Sequence, residues 1–251
     1  MVEVTLDAAA TQPARNAFFL WMTVALAGVV FAGFGLSYLQ PMAAGTLGHL
    51  APVVHVHGVC YFAWMILLVA QSLLINRRQV GLHRSLGLLG IAIASAVVVL
   101  GTLVTILFAG KAIAASDPTV YGVTYISLVA LVGFTALFWL AMKHIRDPDA
   151  HKRYIILATL LFAIGGLNRI FLGAFGIGFE THLTYLPKYL LLDALIVALL
   201  VYDRRTLGRV HPATWIGAGV NVVPQILHVP IVDSAAFVGL THWLAGLGYY
   251  A

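Results

Sequence analysis

The chain has 251 residues, of which 61% are hydrophobic and only 9% are charged. A soluble domain of this length could not bury so much apolar surface, so the composition excludes an ordinary soluble protein and predicts a polytopic membrane protein. The net charge of +5 does not indicate a nucleic-acid partner, because the basic residues lie at the ends of apolar segments, where they contact lipid headgroups.

Seven apolar segments follow one another along the chain, and most of them have the roughly 20 residues that match the thickness of a bilayer. Because lipid offers the backbone no hydrogen-bond partner, each segment is predicted to be a helix. The predicted spans cover residues 16–38, 52–75, 86–108, 121–142, 153–176, 185–202 and 213–232. Pro224 and Pro230 predict that the last span is kinked or ends early.

The predicted fold class is all-α, a bundle of seven transmembrane helices joined by short loops. The membrane domain covers residues 16–232, between a short cytoplasmic tail at 1–15 and an outer interfacial segment at 233–251. That last segment contains Trp243, Tyr249 and Tyr250, aromatic side chains of the kind that favour the membrane interface.

Basic residues are distributed very unequally between the two sides of the predicted membrane. The tail and the loops after the second, fourth and sixth spans hold Arg15, Arg77, Arg78, Arg84, Lys143, Arg146, Lys152, Arg153, Arg204, Arg205 and Arg209. The loops of the other side hold Lys111 and Lys188. The positive-inside rule therefore places the N-terminus in the cytoplasm and the C-terminus outside, in a plasma (inner) membrane.

Polar residues within the spans predict a pocket in the outer half of the membrane. Arg169 and Asp193 lie at similar depths in the fifth and sixth spans, and a charge there is costly unless it is paired, so we expect an ion pair. Five further polar side chains are expected in the same layer: His55, His57, Asn168, Gln225 and His228. The layer suits a small ligand, a metal or a haem; alternatively, it is a structural salt bridge with hydrogen-bonded histidines.

A haem held by two histidines needs one imidazole from each of two helices at matched depth. His55 and His57 are two residues apart and point about 200° apart on a helix, so one of them at most can face a given ligand. That histidine and His228 of the last span form the candidate haem pair.

A second group of candidate ligands lies at the cytoplasmic rim and consists of His83, His144, His151, His211 and Asp203. Several imidazoles and a carboxylate can bind zinc or non-haem iron, which could activate water or oxygen against a lipid-like substrate. Alternatively, these groups bind phospholipid headgroups. The adjacent Arg84 and Lys152 favour that alternative, since nearby cations weaken metal binding.

Four short motifs carry a resemblance to known proteins: His-x-His-Gly at 55–58, Gly-Leu-His-Arg at 81–84, Asp-Pro-x-x-His-Lys-Arg at 147–153 and Gly-Arg-Val-His-Pro-Ala at 208–213. Through them the chain resembles a group of bacterial seven-helix membrane proteins without an assigned activity. It is also distantly similar to membrane proteins of cytochrome oxidase assembly and, in layout, to cytochrome b561 proteins. The resemblance implies the fold; the b561 pattern of four histidines paired across two helices is not reproduced.

These patterns lead to three hypotheses of function. The leading one is an integral membrane protein that binds a redox cofactor, a metal or a small ligand in the outward-facing pocket, in a respiratory or membrane-biogenesis role. The second is a membrane-embedded metalloenzyme that acts on lipids at the cytoplasmic face. The third is a transporter or a non-catalytic assembly factor. The expected partners are the lipid bilayer, a small-molecule or lipid ligand and other membrane proteins.

Overall fold

A computed structural model describes residues 3–178 and 182–248 of the chain. All regular structure in these two ranges is helical. The helices are α1 (Glu3–Phe34), α2 (Gln40–Ala43), α3 (Pro52–Asn76), α4 (Val80–Ala114), α5 (Val120–Lys143), α6 (Pro148–Phe175), α7 (His182–Leu207), α8 (Pro212–Ile226), α9 (His228–Val232) and α10 (Ala235–Leu247). A π-helical turn, Gly35–Leu39, joins α1 to α2.

Six helical stretches of the described chain are long and apolar enough to cross a membrane. They are Ala17–Ala43, Pro52–Asn76, Val80–Ala114, Val120–Lys143, Pro148–Phe175 and Thr184–Leu207. The chain is therefore a multi-pass membrane protein whose apolar helices fit a lipid bilayer. These stretches match the first six predicted spans. Because α1 begins at Glu3, residues 3–15 of the predicted tail are helical as well.

The seventh predicted span is divided into two helices. α8 has 15 residues and stops at Ile226, Leu227 is a turn residue, and α9 has only five residues. Pro224 and Pro230 explain the interruption, because neither has a backbone N–H to continue the helical hydrogen bonds. The predicted kink is confirmed, whereas a count of seven spanning helices is not confirmed.

The C-terminal helix α10 packs beside the second half of α4. A Cβ added at Gly110 of α4 would lie 3.3 Å from the carbonyl oxygen of Ala245, so the two helices are in close contact there. Trp243, which was predicted to lie in the interfacial segment, is 61% exposed. Tyr249 and Tyr250, which were predicted at the membrane interface, lie outside the described residues.

α6 lies at the centre of the bundle and contacts α1, α5, α7 and α8. The small residues Gly33 of α1 and Gly166 of α6 let the two backbones meet. We call the end of the bundle that holds the loops at 77–79, 144–147 and 208–211 the basic end, and the other the opposite end.

Candidate functional site

The expected ion pair between Arg169 and Asp193 does not form, and this prediction is wrong. Asp193 lines a cavity with Ile164 of α6, whereas Arg169 lies over Phe34 of α1. Ile164 and Arg169 are five residues apart, which turns them by about 140° on an α-helix. Asp193 of α7 and Arg169 therefore lie against different faces of α6 and belong to two separate polar sites.

The first site is a cavity between α5, α6, α7 and α8, with Asp193 in its wall. Oδ1 of Asp193 accepts a hydrogen bond of 3.0 Å from Nε2 of Gln225. The amide of Asn221 in the same wall donates to two backbone carbonyl oxygens, at 3.0 and 2.8 Å. No described hydrogen bond uses Oδ2 of Asp193 or the two amide oxygens. The cavity thus offers acceptors to a ligand.

The size of this cavity limits what it can hold. Its volume is about 30 Å³, and its remaining wall is formed by apolar side chains such as Val129 and Leu160. One water molecule needs roughly 10–15 Å³ of such space, so the cavity accommodates about two.

Two tyrosines connect the cavity to the broken helix. The hydroxyl of Tyr125 donates to the carbonyl oxygen of Pro224 at 2.7 Å, and the hydroxyl of Tyr189 lies 3.1 Å from Nδ1 of His228. His228 is only 3% exposed and stacks on the ring of Tyr125, with 4.9 Å between ring centres. The predicted site residue His228 therefore lies behind the tyrosines rather than in the cavity wall.

The second site surrounds Arg169 on the other face of α6. The guanidinium carbon lies 4.0 Å from the centre of the Phe34 ring, and Nη1 donates to the carbonyl oxygen of Gly165 at 2.9 Å. No carboxylate of the described chain forms an ion pair with Arg169. A cation within a membrane helix is costly unless it is paired, so the lack of a counter-charge among the described residues requires an explanation.

The side chains of His55 and His57 point in different directions, as helix geometry predicts. Nδ1 of His55 lies 2.5 Å from the hydroxyl of Tyr38 in the π-helical turn. His57 instead lies parallel to the ring of Tyr61, at 6.2 Å, and close to Gly101 of α4. Its Nδ1 is buried and has no hydrogen-bond partner. Since the Tyr61 ring is in turn 5.7 Å from Phe34, His57 belongs to the surroundings of Arg169.

These residues do not fit a haem held by two histidines. His55 binds Tyr38, His57 lies between α3 and α4, and His228 lies among tyrosines of α5 and α7. No two of these imidazoles face a shared slot, and a cavity of about 30 Å³ is far too small for a porphyrin. The geometry does not support the haem form of the leading hypothesis.

Lys188 was predicted to lie in a loop, but it is a buried residue that contacts the predicted site residue Asn168. It is 0% exposed and donates from Nζ to Oδ1 of Asn168 at 2.7 Å and to the carbonyl oxygen of Gly178. Asn168, predicted to bind a ligand, thus binds Lys188. A signal was present in the sequence: Lys188 falls within the predicted span 185–202, and a lysine inside a span needs a polar partner.

At the basic end, Arg153 and Asp203 form an ion pair in which both side chains are 0% exposed. Nε and Nη2 of Arg153 donate to Oδ1 of Asp203, at 3.0 and 2.5 Å. Oδ2 of Asp203 accepts from the backbone N–H of His211 at 3.0 Å and from the hydroxyl of Thr214 at 2.5 Å. This network joins the start of α6 to the end of α7 and the start of α8.

The predicted metal site at the same end is not formed. Among the residues that the structure describes, no three His, Cys, Asp or Glu side chains are placed to hold a metal ion. His144 and His151 each direct Nδ1 to a backbone carbonyl oxygen, at 2.8 and 2.9 Å, and Asp203 is occupied by its ion pair. His83, another histidine of the predicted set, has a buried Nδ1 without a hydrogen-bond partner.

His211 acts as the N-cap of α8, since its Nδ1 accepts a hydrogen bond of 3.1 Å from the N–H of Ala213. Burial, and to a smaller extent the charge of Arg153, lowers the pKa of His211 below its ordinary value, while nearby aspartates act in the opposite direction. A protonated Nδ1 could no longer accept from the backbone, so the cap needs the neutral ring.

A pH dependence of stability follows from this cap. The unfolded chain binds a proton at about pH 6.5, above the pKa of folded His211, so this contribution to stability is complete above about pH 6.5 and declines as the pH falls toward the folded pKa. His211→Asn keeps a capping oxygen and does not titrate. We expect its unfolding temperature to fall less than that of the wild type between about pH 7.5 and 5. Equal losses in both proteins would contradict this role.

Comparisons with known proteins assign no family to this chain. No family model, curated protein or solved structure matches it. The resemblance based on the four short motifs therefore stays a prediction, and the two polar sites are the basis for a functional argument.

Proposed function

We propose that this protein binds a proton or a small monovalent cation at Asp193, within the membrane. One observation supports the proposal: the Asp193 carboxylate lines a cavity between four helices. Its hydrogen-bond partner there is the neutral amide of Gln225. Intramembrane carboxylates are costly, and they commonly mark proton or ion pathways.

The size and charge of the cavity support a small, singly charged ligand. A volume of about 30 Å³ suits about two water molecules or a small ion. Divalent cations usually take several carboxylate or carbonyl ligands, whereas Asp193 is the one carboxylate in the wall. This is a narrower form of the hypothesis of a small ligand in a polar intramembrane pocket.

The position of Asp193 also suits proton binding. It lies nine residues after Thr184, the start of its span, which is about 14 Å along the helix and places it near mid-membrane. Tyr189 and His228 extend the polar path from the cavity wall toward the opposite end. Histidine side chains commonly act as proton shuttles, so His228 is a suitable group for passing protons between the cavity and solvent.

Transport is the second candidate function, and the broken last helix favours it. Pro224 lies in the cavity wall and cannot donate to the carbonyl oxygen four residues earlier, at Val220. Interrupted helices with freed carbonyl groups beside an ion site are characteristic of secondary transporters. On this proposal, the excess of arginine at the basic end sets the orientation in an inner membrane, with that end in the cytoplasm.

The test replaces Asp193 with asparagine, which keeps the shape and the hydrogen bond to Gln225 but removes the titratable charge. We expect the wild type to be stabilised by one of Na⁺, K⁺ or NH₄⁺, by about 2.7 kcal/mol at 100 times the dissociation constant, or to show a carboxyl infrared band that titrates with pH. Asp193→Asn should lack both effects. The measurements are thermal unfolding and infrared difference spectroscopy.

The matched control is Asp117→Asn, in the loop before α5. Oδ1 of Asp117 accepts hydrogen bonds from the N–H and the hydroxyl of Thr119, and an asparagine oxygen can replace it there. The control should keep the response of the wild type. If Asp193→Asn kept it as well, or if the wild type responded to neither cations nor pH, the proposed function would be wrong. Proton or cation flux in vesicles then separates transport from binding alone.

A further inference from the structure

The environment of Arg169 points to a second ligand, independent of Asp193. Its guanidinium carbon lies over the Phe34 ring, 4.0 Å from the ring centre, and its one described hydrogen bond runs from Nη1 to the carbonyl oxygen of Gly165. A guanidinium carries five N–H groups in a planar fork. Stacking on an aromatic ring engages the face of that plane and leaves its edge available for hydrogen bonds.

The described neighbours of Arg169 provide no negative charge to balance it. The chain of contacts around it runs through Phe34, Tyr61 and His57, none of which is acidic. The hydroxyl of Tyr61 donates to the carbonyl oxygen of Phe162 at 3.0 Å. Of the side chains that the structure describes, no carboxylate pairs with Arg169. A ligand with a negative group would supply the missing counter-charge.

The local backbone near Arg169 brings α1 and α6 into direct contact. Gly33 and Gly166 hold α1 and α6 in backbone contact, and immediately afterwards α1 changes to the π-helical turn Gly35–Leu39. Such π-helical turns are frequent at functional sites. Leu36 in the turn and Leu172 in α6 are 48% and 50% exposed, so apolar side chains flank the site on the lipid-facing surface.

We propose that Arg169 binds the oxyanion of an anionic amphiphile, a carboxylate or a phosphate, beside the contact between α1 and α6 at the opposite end. The oxyanion accepts from the guanidinium edge, and its apolar chain lies along Leu36 and Leu172. Arg169 lies six residues before Phe175, the end of its helix, which is about 9 Å along the helix and places it nearer to the headgroups than to the bilayer centre.

The test measures binding of oleate, of oleyl alcohol and of inorganic phosphate to the purified full chain in a neutral detergent. Oleate and oleyl alcohol differ only in the charged group. We expect the wild type to bind oleate at least ten times more tightly than oleyl alcohol. Displacement of oleate by inorganic phosphate would support an oxyanion site open to soluble anions, and no displacement would support a lipid source. Equal affinity for oleate and oleyl alcohol would overturn the proposal without any variant.

Variants then assign the site. Arg169→Gln should lose the preference for oleate, and Arg169→Lys should recover part of it, because lysine keeps the charge but not the planar fork. Arg204→Gln removes an exposed arginine at the basic end and should bind oleate within threefold of the wild type. An unchanged preference in a folded Arg169→Gln protein would overturn the proposal. Asp193→Asn should bind oleate normally, so failure of one site is distinguishable from failure of the other.

Discussion

Asp203→Ala is expected to lower the free energy of unfolding by about 3–5 kcal/mol, the largest effect of any single substitution considered. The change leaves the guanidinium of Arg153, which is 0% exposed, without its counter-charge. It also removes the acceptor for the N–H of His211 and the hydroxyl of Thr214. Equilibrium unfolding in detergent mixtures measures the difference. We expect the start of α6, the end of α7 and the start of α8, which meet at the basic end, to loosen together.

Asp149→Ala is the matched control, because Asp149 also contacts Arg153. Its side chain is 41% exposed, and the two atoms, Nη1 of Arg153 and Oδ1 of Asp149, are 3.1 Å apart. Solvent screens such a pair, so the expected loss is about 1 kcal/mol or less. A double variant, Arg153→Met with Asp203→Leu, should be more stable than Asp203→Ala, since it leaves no buried charge unpaired. Equal effects of Asp203→Ala and Asp149→Ala would contradict the importance of burial.

Gly33→Ala is expected to destabilise the protein by about 1–3 kcal/mol or more, because it forces two helices apart. A Cβ at this position would lie 2.0 Å from the carbonyl oxygen of Gly166 and 2.8 Å from its Cα. Both are backbone atoms, so no side-chain rotation can relieve the overlap. The same detergent-based unfolding measurement gives the result. Since Phe34 follows directly, a separation of α1 from α6 should also weaken oleate binding at Arg169.

Gly28→Ala, in the same helix, separates this effect from helix propensity. Nothing lies within 4 Å of a Cβ added at Gly28, which is exposed. Alanine is favoured over glycine in a helix by about 0.5–1 kcal/mol, so this variant should be as stable as the wild type or slightly more stable. If Gly28→Ala and Gly33→Ala behaved alike, the close contact between α1 and α6 would not be a source of stability.

The two sites on α6 have opposite character. Asp193 lines a small cavity with hydrogen-bond acceptors, whereas Arg169 lies over Phe34 and offers hydrogen-bond donors. A cation or proton suits the first and an oxyanion the second. Because α6 carries the walls of both, ligands at the two sites can be tested separately and then together for an effect of one on the affinity of the other.

The amino-acid sequence by itself determined that the chain is helical and embedded in a membrane. Runs of apolar residues long enough for a bilayer leave the backbone no other structure, and six of the seven predicted spans correspond to long apolar helices. Pro224 and Pro230 likewise determined the break in the last helix, because a missing N–H acts locally. Both inferences use only residues that are close to one another in the sequence.

Only the tertiary structure decided which polar groups meet. Similar predicted depth suggested that Arg169 would pair with Asp193, but the two side chains lie against different faces of α6, and depth along a helix contains no information about rotation. Arg153 and Lys188 were assigned to topology signals, yet helix packing buries them fully against Asp203 and Asn168. The azimuth of each helix is set by side-chain packing against its neighbours, and that is the physical reason why the sites could not be read from the spans.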